Sequence, residues 1–554
     1  MKRIRLAPFD LSLAVFGASA WLGLAVVYDR GLGQRTWIAL LGMLILYGLV
    51  SRVAVSDRHW DEFSVLLAGL GALAAFYFIT QAGHIAYDEK IGAIDRVVKW
   101  VSSILPAFPI WKPVPNSLAT FLESILFLTA GLALLQERPG RRILGWAAVG
   151  LLSVAILFSA SRGAWLGVLG AALLWAAVHW KPARWLALLA GLGALGMVLF
   201  VLIRGDIHAL AEIPVAGNLA GALFIRPDRL QVYSHSLALL AEQPFSGIGL
   251  GNAFSRVYSS YELLLDVPFL GYSHNLLLEV GLQQGLLGAA AFVWLVAALY
   301  TSLLRYPAFK SDLRFQAACA GLTATLLHGL SDARQYPSLW TWLPFFYLLG
   351  LCAARLLHAR PLSRPRLGWL LPGIATAVLV GGVLANSWPP AAAWNANQAA
   401  LLQTRADLDE TLTPDLRSAM RSESEGLFQR ALRQDPGSTP INRRYGLLLL
   451  AESRFSEAIP HLEIAWRAAP NHIGGRKGLG LAYLWSGDLD RAQAVLGGMP
   501  EIIEELQGLA WREYNDLYHY QTALYAYRLL DRLVPDQSDT REMIRILQNK
   551  LGEP

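Results

Sequence analysis

The first two-thirds of this chain is a succession of apolar runs of about 17–24 residues, each long enough to cross ~30 Å of hydrocarbon as a helix. That leaves few folds open, because backbone groups inside a bilayer must be satisfied within the spanning structure itself. The runs fall at 9–28, 36–50, 63–80, 117–135, 143–160, 163–179, 185–203, 280–303, 314–330, 338–357 and 367–387. Together they predict about eleven or twelve spans. Over 554 residues, 55% are hydrophobic and 16% charged, which is too apolar for an ordinary soluble domain. The N-terminal segment MKRIRLAPFDLSLAVFGASAWLGLAVVYD is longer than a secretory signal core, so it reads as a retained first helix. The two cysteines, Cys319 and Cys352, fall inside spans and suggest no disulfide framework.

Lysine and arginine concentrate in alternate loops. Arg52 and Arg58, the Arg138/Arg141/Arg142 group, Lys181 and Arg184, the Arg305/Lys310/Arg314 group, and Arg355 with Arg360, Arg364 and Arg366 fall on one side. Arg30, Arg35, Arg162 and Arg334 fall on the other. This bias predicts a cytoplasmic N-terminus. The long loops at about 82–116 and 204–273, and everything after Trp388, would then lie outside. The net charge of +6 is accounted for by these loops and implies no nucleic-acid partner. In the first loop, Trp100 and Trp111 suit a surface-lying interfacial helix or the wall of a substrate groove.

After Pro389-Pro390 the pattern becomes soluble and helical, and a spacing of 34 emerges. Ala431 and Ala465, Pro436 and Pro470, and Ala458 and Ala492 recur at that interval, and Tyr445 aligns with Leu479. Small residues let paired helices approach and the prolines close each unit, so residues 391–554 resemble a tetratricopeptide-like solenoid. Residues 520–535 form a degenerate further unit. The predicted fold class is therefore all-α: a polytopic membrane domain over residues 1–390, followed by a soluble helical repeat domain. Such arrays present a binding face, which allows a protein or glycan-carrier partner as well as a purely structural cap.

No phosphate-binding Gly-Lys loop, dinucleotide fingerprint or metal-ligand spacing occurs, so neither a metal nor a cofactor is expected. The Asp407/Asp409 and Asp488/Asp490 pairs read as solvated helix-end charges. The polar groups that the topology collects on the outer face are a better candidate site. Arg162 lies between two spans, Arg226 and Arg229 lie in the second long loop, and Tyr272, His274 and Asn275 open the next helix. His328 and Asp332 end a later span. Each has a bland reading, as a snorkelling arginine or a packing histidine. Ionisable groups beside hydrocarbon are expensive, however, and four segments deliver them to one face. Arginines match phosphate oxygens, and a histidine takes a proton near neutral pH. The set suits transfer of a group from a diphosphate to a hydroxyl acceptor, without a metal. Outside the cytoplasm such a diphosphate would arrive on a lipid.

The ordered set SRGAWLG, then Arg229 followed by QPFSGIGLGNAF, then YSHNLLLEVGLQQGLLG is similar to the O-antigen ligase and polymerase superfamily, which includes protein O-oligosaccharyltransferases. The likeness covers roughly residues 120–350. It implies a membrane glycosyltransferase that moves a glycan from undecaprenyl diphosphate to a lipid- or protein-borne hydroxyl at the periplasmic face. The family's essential histidine matches His274, and its functional arginines correspond to Arg229 and Arg162. Catalytic roles are thus expected for His274, Arg229 and Arg162, and substrate-binding roles for Arg226, Asn275, Tyr272, His328 and Asp332. Tyr233 stands where tryptophan is expected after Arg229. Surface-polysaccharide ligase or polymerase is the leading reading and protein glycosylation the alternative. A lipid-glycan flippase or an assembly scaffold are rivals from other classes.

Overall fold

The computed structural model describes residues 6–85, 91–108, 110–204, 227–268, 270–359, 373, 376, 389–499 and 501–553. The chain divides into two compact units. Every regular element among the described residues is helical.

The first unit comprises Met1–Leu237, Ser246–Phe254 and Gly271–Gly382. Its helices are α1 (Asp10–Val26), α2 (Arg30–Val53), α3 (Asp57–Gln81), α4 (Gly92–Ile104), α5 (Pro115–Leu135), α6 (Pro139–Phe158), α7 (Arg162–His179) and α8 (Lys181–Arg204). These are followed by the start of α9 (Pro227–Glu242), α10 (Ala253–Tyr258) at its boundary, α11 (Leu276–Arg305), α12 (Leu313–Gly329) and α13 (Trp342–Ala359). Eight helices among the described residues are long and apolar enough to cross a membrane. The expected spans at 9–28 and 314–330 appear as the 17-residue helices α1 and α12. The expected span at 367–387 lies, apart from two positions, outside the described residues.

The caps explain where several helices begin. Prolines open α5 and α6, where a missing N–H costs nothing. Ser56, Asn275 and Asp312 accept backbone N–H groups at the starts of α3, α11 and α12. In the bundle α5 packs against α6 and α12, α12 against α7, α1 against α11, and α2 against α13.

The Pro/Gly-punctuated turn after α9 is tightly held. Gly247, Gly249 and Gly251 all take left-handed φ values, of +65°, +103° and +93°. The backbone N–H of Leu250 donates to Gly23 O (3.0 Å) and that of Ile248 to Leu282 O (2.7 Å). Gln283 clasps Gly251 on both sides, accepting its N–H (2.5 Å) and donating to its carbonyl (2.8 Å). A side chain at Gly251 would strike the Leu32 carbonyl at 2.1 Å, so glycine is required there.

The second unit comprises Val383–Pro554 together with Ala238–Phe245 and Ser255–Leu270, two pieces of the second long loop. Its helices pair as hairpins: α14 (Pro390–Leu408) with α15 (Pro414–Gln434), α16 (Thr439–Ala451) with α17 (Phe455–Ala468), and α18 (Ile473–Trp485) with α19 (Leu489–Leu496). Then come α20 (Ile502–Asn515), α21 (Tyr520–Leu533) and α22 (Ser538–Leu551). The 34-residue spacing has a packing cause. Gly446 faces Leu462 and Gly480 faces Leu496, each at a distance too short for an added methyl group. The repeating alanines Ala431, Ala458, Ala465 and Ala492 are buried at the same seams. The Asp-Leu-Asp pairs need one correction. Asp409 and Asp488 sit at helix ends, and Asp490 is exposed against Arg532. Asp407, in contrast, is held by Arg421 (2.8 Å) and the Tyr261 hydroxyl (2.8 Å), because α15 and the loop close over it.

Candidate functional site

The stretch Tyr272–Asn275 is built residue by residue. The Tyr272 hydroxyl donates to Asp332 Oδ1 at 2.7 Å. Ser273 gives both its backbone N–H (2.8 Å) and its hydroxyl (2.7 Å) to Glu279 Oε2, one turn into α11. His274 takes a left-handed φ of +57°, a strained choice for a non-glycine residue that recurs at functional sites. Asn275 then caps α11, accepting from the N–H groups of Leu277 and Leu278 at 3.1 Å, while its amide donates to Leu330 O at 3.0 Å. The turn therefore projects His274 while its neighbours are tied down.

His274 Nδ1 lies 3.3 Å from Asp332 Oδ1, and its ring sits 4.2 Å from the Tyr272 ring, centre to centre. Both oxygens of Asp332 are fully used. Oδ1 faces Tyr272 and His274; Oδ2 accepts from Asn116 (2.9 Å) and Arg334 Nε (3.2 Å). Burial alone would raise the Asp332 pKa, but the Arg334 charge and the His274 hydrogen bond hold it well below the usual range. Tyr272 is pushed up by burial and by the Asp332 charge, so it remains a donor. Arg334 also lies over the Tyr272 ring, 4.8 Å from its centre.

The arginines reach the same turn. Arg229, in the first turn of α9, donates through Nη1 to the Ser331 carbonyl. Tyr233, one turn later, sends its hydroxyl to the carbonyls of His274 (3.2 Å) and Leu330 (3.4 Å), and burial pushes its pKa up to about 12. Arg162 is exposed at the first position of α7. It follows Ala160, another left-handed residue (φ +49°), which ends α6 and lets α7 start at once. Its neighbours fix its place. Ser161 Oγ is 3.5 Å from His328 Nε2, and a side chain on Gly163 would strike His328 and Ser331 below 3 Å. Arg162, Arg229 and His274 therefore all border the turn 328–332, at one end of the bundle.

Other expected site residues are placed differently. His328 is 1% exposed, and its Nδ1 pairs with the fully buried Glu123 at 2.9 Å. The side chains of Asn275, Tyr272 and Asp332 are likewise hydrogen-bonded within the chain. Arg226 lies outside the described residues.

Residues 147–293 match the family model described as O-antigen ligase, and residues 449–505 match a tetratricopeptide repeat model. Over those stretches the chain is similar to the O-antigen ligase family and to a tetratricopeptide repeat, in that order along the sequence. No curated protein matches it significantly. The ligase-family region holds Arg162, Arg229 and His274, whereas Asn116, Glu123, His328 and Asp332 lie outside the matched residues. The eight apolar helices suit a multi-pass membrane protein, and the likeness is to a family of glycosyltransferase-type membrane enzymes. The family implies lipid-linked glycan substrates, and the repeats imply protein interaction.

Sequence reasoning missed Asn116, Glu123 and Arg334. A lone carboxylate inside the apolar run LATFLESILF was a usable signal for Glu123. Arg334, two residues beyond Asp332, had a similar one. Asn116 had none, since a residue opening a helix is usually only a cap.

Proposed function

We propose that the protein transfers a glycan from undecaprenyl diphosphate to a hydroxyl acceptor at the periplasmic face, as a surface-polysaccharide ligase or polymerase, by inversion and without a metal. The observation that carries this reading is His274, partly exposed, with Nδ1 held by a carboxylate that is itself saturated by four donors. With Nδ1–H donating to Asp332, Nε2 keeps the lone pair. The acceptor's O–H proton passes to Nε2 as its oxygen bonds to the anomeric carbon. The bond from that carbon to phosphate breaks, and the lipid diphosphate departs with the electron pair. Arg229 and Arg162 stabilise the charge that develops on it. Tyr272 and Asp332 hold the imidazole, and Asn275 fixes the start of α11 beside it. His328, paired with Glu123, holds the turn that carries Asp332 and Ser331.

The test is a reconstitution with a lipid-diphosphate glycan donor and three acceptors: a lipid A-core glycolipid, a second lipid-linked repeat, and a serine-bearing pilin-like peptide. Transfer to one of the first two supports the proposal. Transfer to the peptide alone makes the protein an O-oligosaccharyltransferase. Lipid movement between leaflets without any transfer would overturn the enzyme reading in favour of a flippase. Arg229→Met should weaken use of the donor, read as a higher donor KM together with a lower kcat.

A further inference from the structure

The second unit contains a buried charge cluster that the transfer chemistry does not use. Glu242, at the end of α9, and Glu262, just after α10, are 1% and 0% exposed. Both accept from Arg443 on α16, at 2.6 and 2.9 Å. Arg444, equally buried, approaches Glu242 Oε2 at 3.7 Å and lies 3.4 Å from the centre of the Tyr261 ring. His472 Nε2 donates to Glu262 Oε2 at 2.6 Å, and burial, then Arg443, hold its pKa well below the usual range. The set is two carboxylates and two guanidiniums, so its charges cancel.

The same two loop pieces run along the first helix of successive hairpins. On α14, Asn397 accepts the Phe245 N–H (3.0 Å), Trp394 meets the Phe245 ring at 5.6 Å, and Asp407 accepts the Tyr261 hydroxyl. On α18, Lys477 donates to Leu263 O (3.0 Å), and Gly474 comes so close that a methyl group there would lie 2.4 Å from Tyr261 O. On α20, Arg512 pairs with Asp266 at 2.8 Å. The first helices of such hairpins are the ones that line the concave face with which repeat arrays bind partners.

We infer that the occupant of this face is the chain's own second loop, residues 238–245 and 255–266, and that the repeat array is an intramolecular clamp on that loop. The chemistry is specific. The two arginines of α16 meet the two carboxylates of the loop, so each side supplies the counter-charge that lets the other be buried. With it, backbone, aromatic and ionic contacts are satisfied on four helices. The chain enters this unit at Ala238, five residues after Tyr233, and leaves it at Leu270, four residues before His274. The clamp therefore holds the segment between the two halves of the candidate site. Arg443 is a positioning residue, and a separate protein that binds the repeats must do so on another surface.

The test is hydrogen–deuterium exchange on the full-length protein in detergent, which needs no activity and so stands apart from the transferase reading. In the native chain, residues 238–245 and 255–266 should be as protected as α16 and α18. Arg443→Met should raise their exchange by about 10-fold or more while α21 and α22 keep theirs, since leaving two buried carboxylates without their cation is strongly destabilising locally. Arg443→Met combined with Glu262→Gln should restore most of the protection, because Glu242 and Arg444 then cancel. Gly474→Val, which leaves every charge in place, should release residues 255–266 by steric push alone. Fast exchange of the loop in the native chain would overturn the inference, as would unchanged loop exchange in both Arg443→Met and Gly474→Val.

Discussion

Two histidine–carboxylate pairs lie within one unit, and they differ in exposure and in setting. His274 meets Asp332 at 3.3 Å and is 19% exposed; His328 meets Glu123 at 2.9 Å and is 1% exposed. The first sits on a left-handed residue in a turn, with a carboxylate whose other valences are filled from outside the pair. The second joins two helices, with Thr120 and Ser161 packed around the ring. A solvent-reached imidazole is able to exchange protons with a substrate, and a sealed one is able only to hold helices together. Residue type alone does not distinguish them.

The comparison breaks most visibly through His274→Ala, expected to lower transfer by about 10³-fold, within the range for a general base, with unchanged expression and melting temperature. A variant that keeps more than a tenth of native transfer would remove His274 from the mechanism. His328→Ala should act oppositely. It leaves Glu123 buried without its partner, expected to cost about 3–5 kcal/mol of stability, read as a lower melting temperature and poor yield. His328→Leu with Glu123→Leu should recover most of that stability and retain transfer; loss of transfer in the well-folded double variant would give His328 a direct role.

Asp332→Asn preserves shape and removes charge, and should lower transfer by roughly 10²-fold with a shifted pH profile, as for a residue that orients the base. Its stability effect has a defined pH sign. The folded pKa lies below the unfolded value of about 3.9, so the carboxylate's contribution is complete above that value. It is withdrawn only as pH falls through the depressed folded value. The melting-temperature gap between native and Asp332→Asn protein should accordingly stay constant from pH 8 to pH 5. The smallest expected effect belongs to Asn275→Ala, which removes the α11 cap and should cost about 1 kcal/mol. A much larger loss of transfer than of stability would show that Asn275 also touches the acceptor.

What was legible in the sequence follows from how far apart the cooperating residues are. The apolar runs and the 34-residue spacing are local patterns, so the helices and hairpins could be read directly. His274, Arg229 and Arg162 could be singled out because their flanking motifs mark them, and the structure sets all three beside the turn 328–332. The partners of His274 were less so: Asp332 is 58 residues away and Asn116 is 216 residues from Asp332. The boundary near residue 390 concealed another distant pairing, since nothing local to Glu242 or Glu262 announces an arginine some 200 residues on.

That separation sets an order in time. Glu242 is synthesised 201 residues before the Arg443 that neutralises it. At about 5–20 residues per second, the loop spends roughly 10–40 s outside the ribosome before its counterion exists. The part of the chain that bears the ligase-like motifs is thus made before the cation against which its loop is buried. A message truncated before Arg443 would yield a protein with every recognisable ligase motif and two carboxylates left without the cation they are buried against.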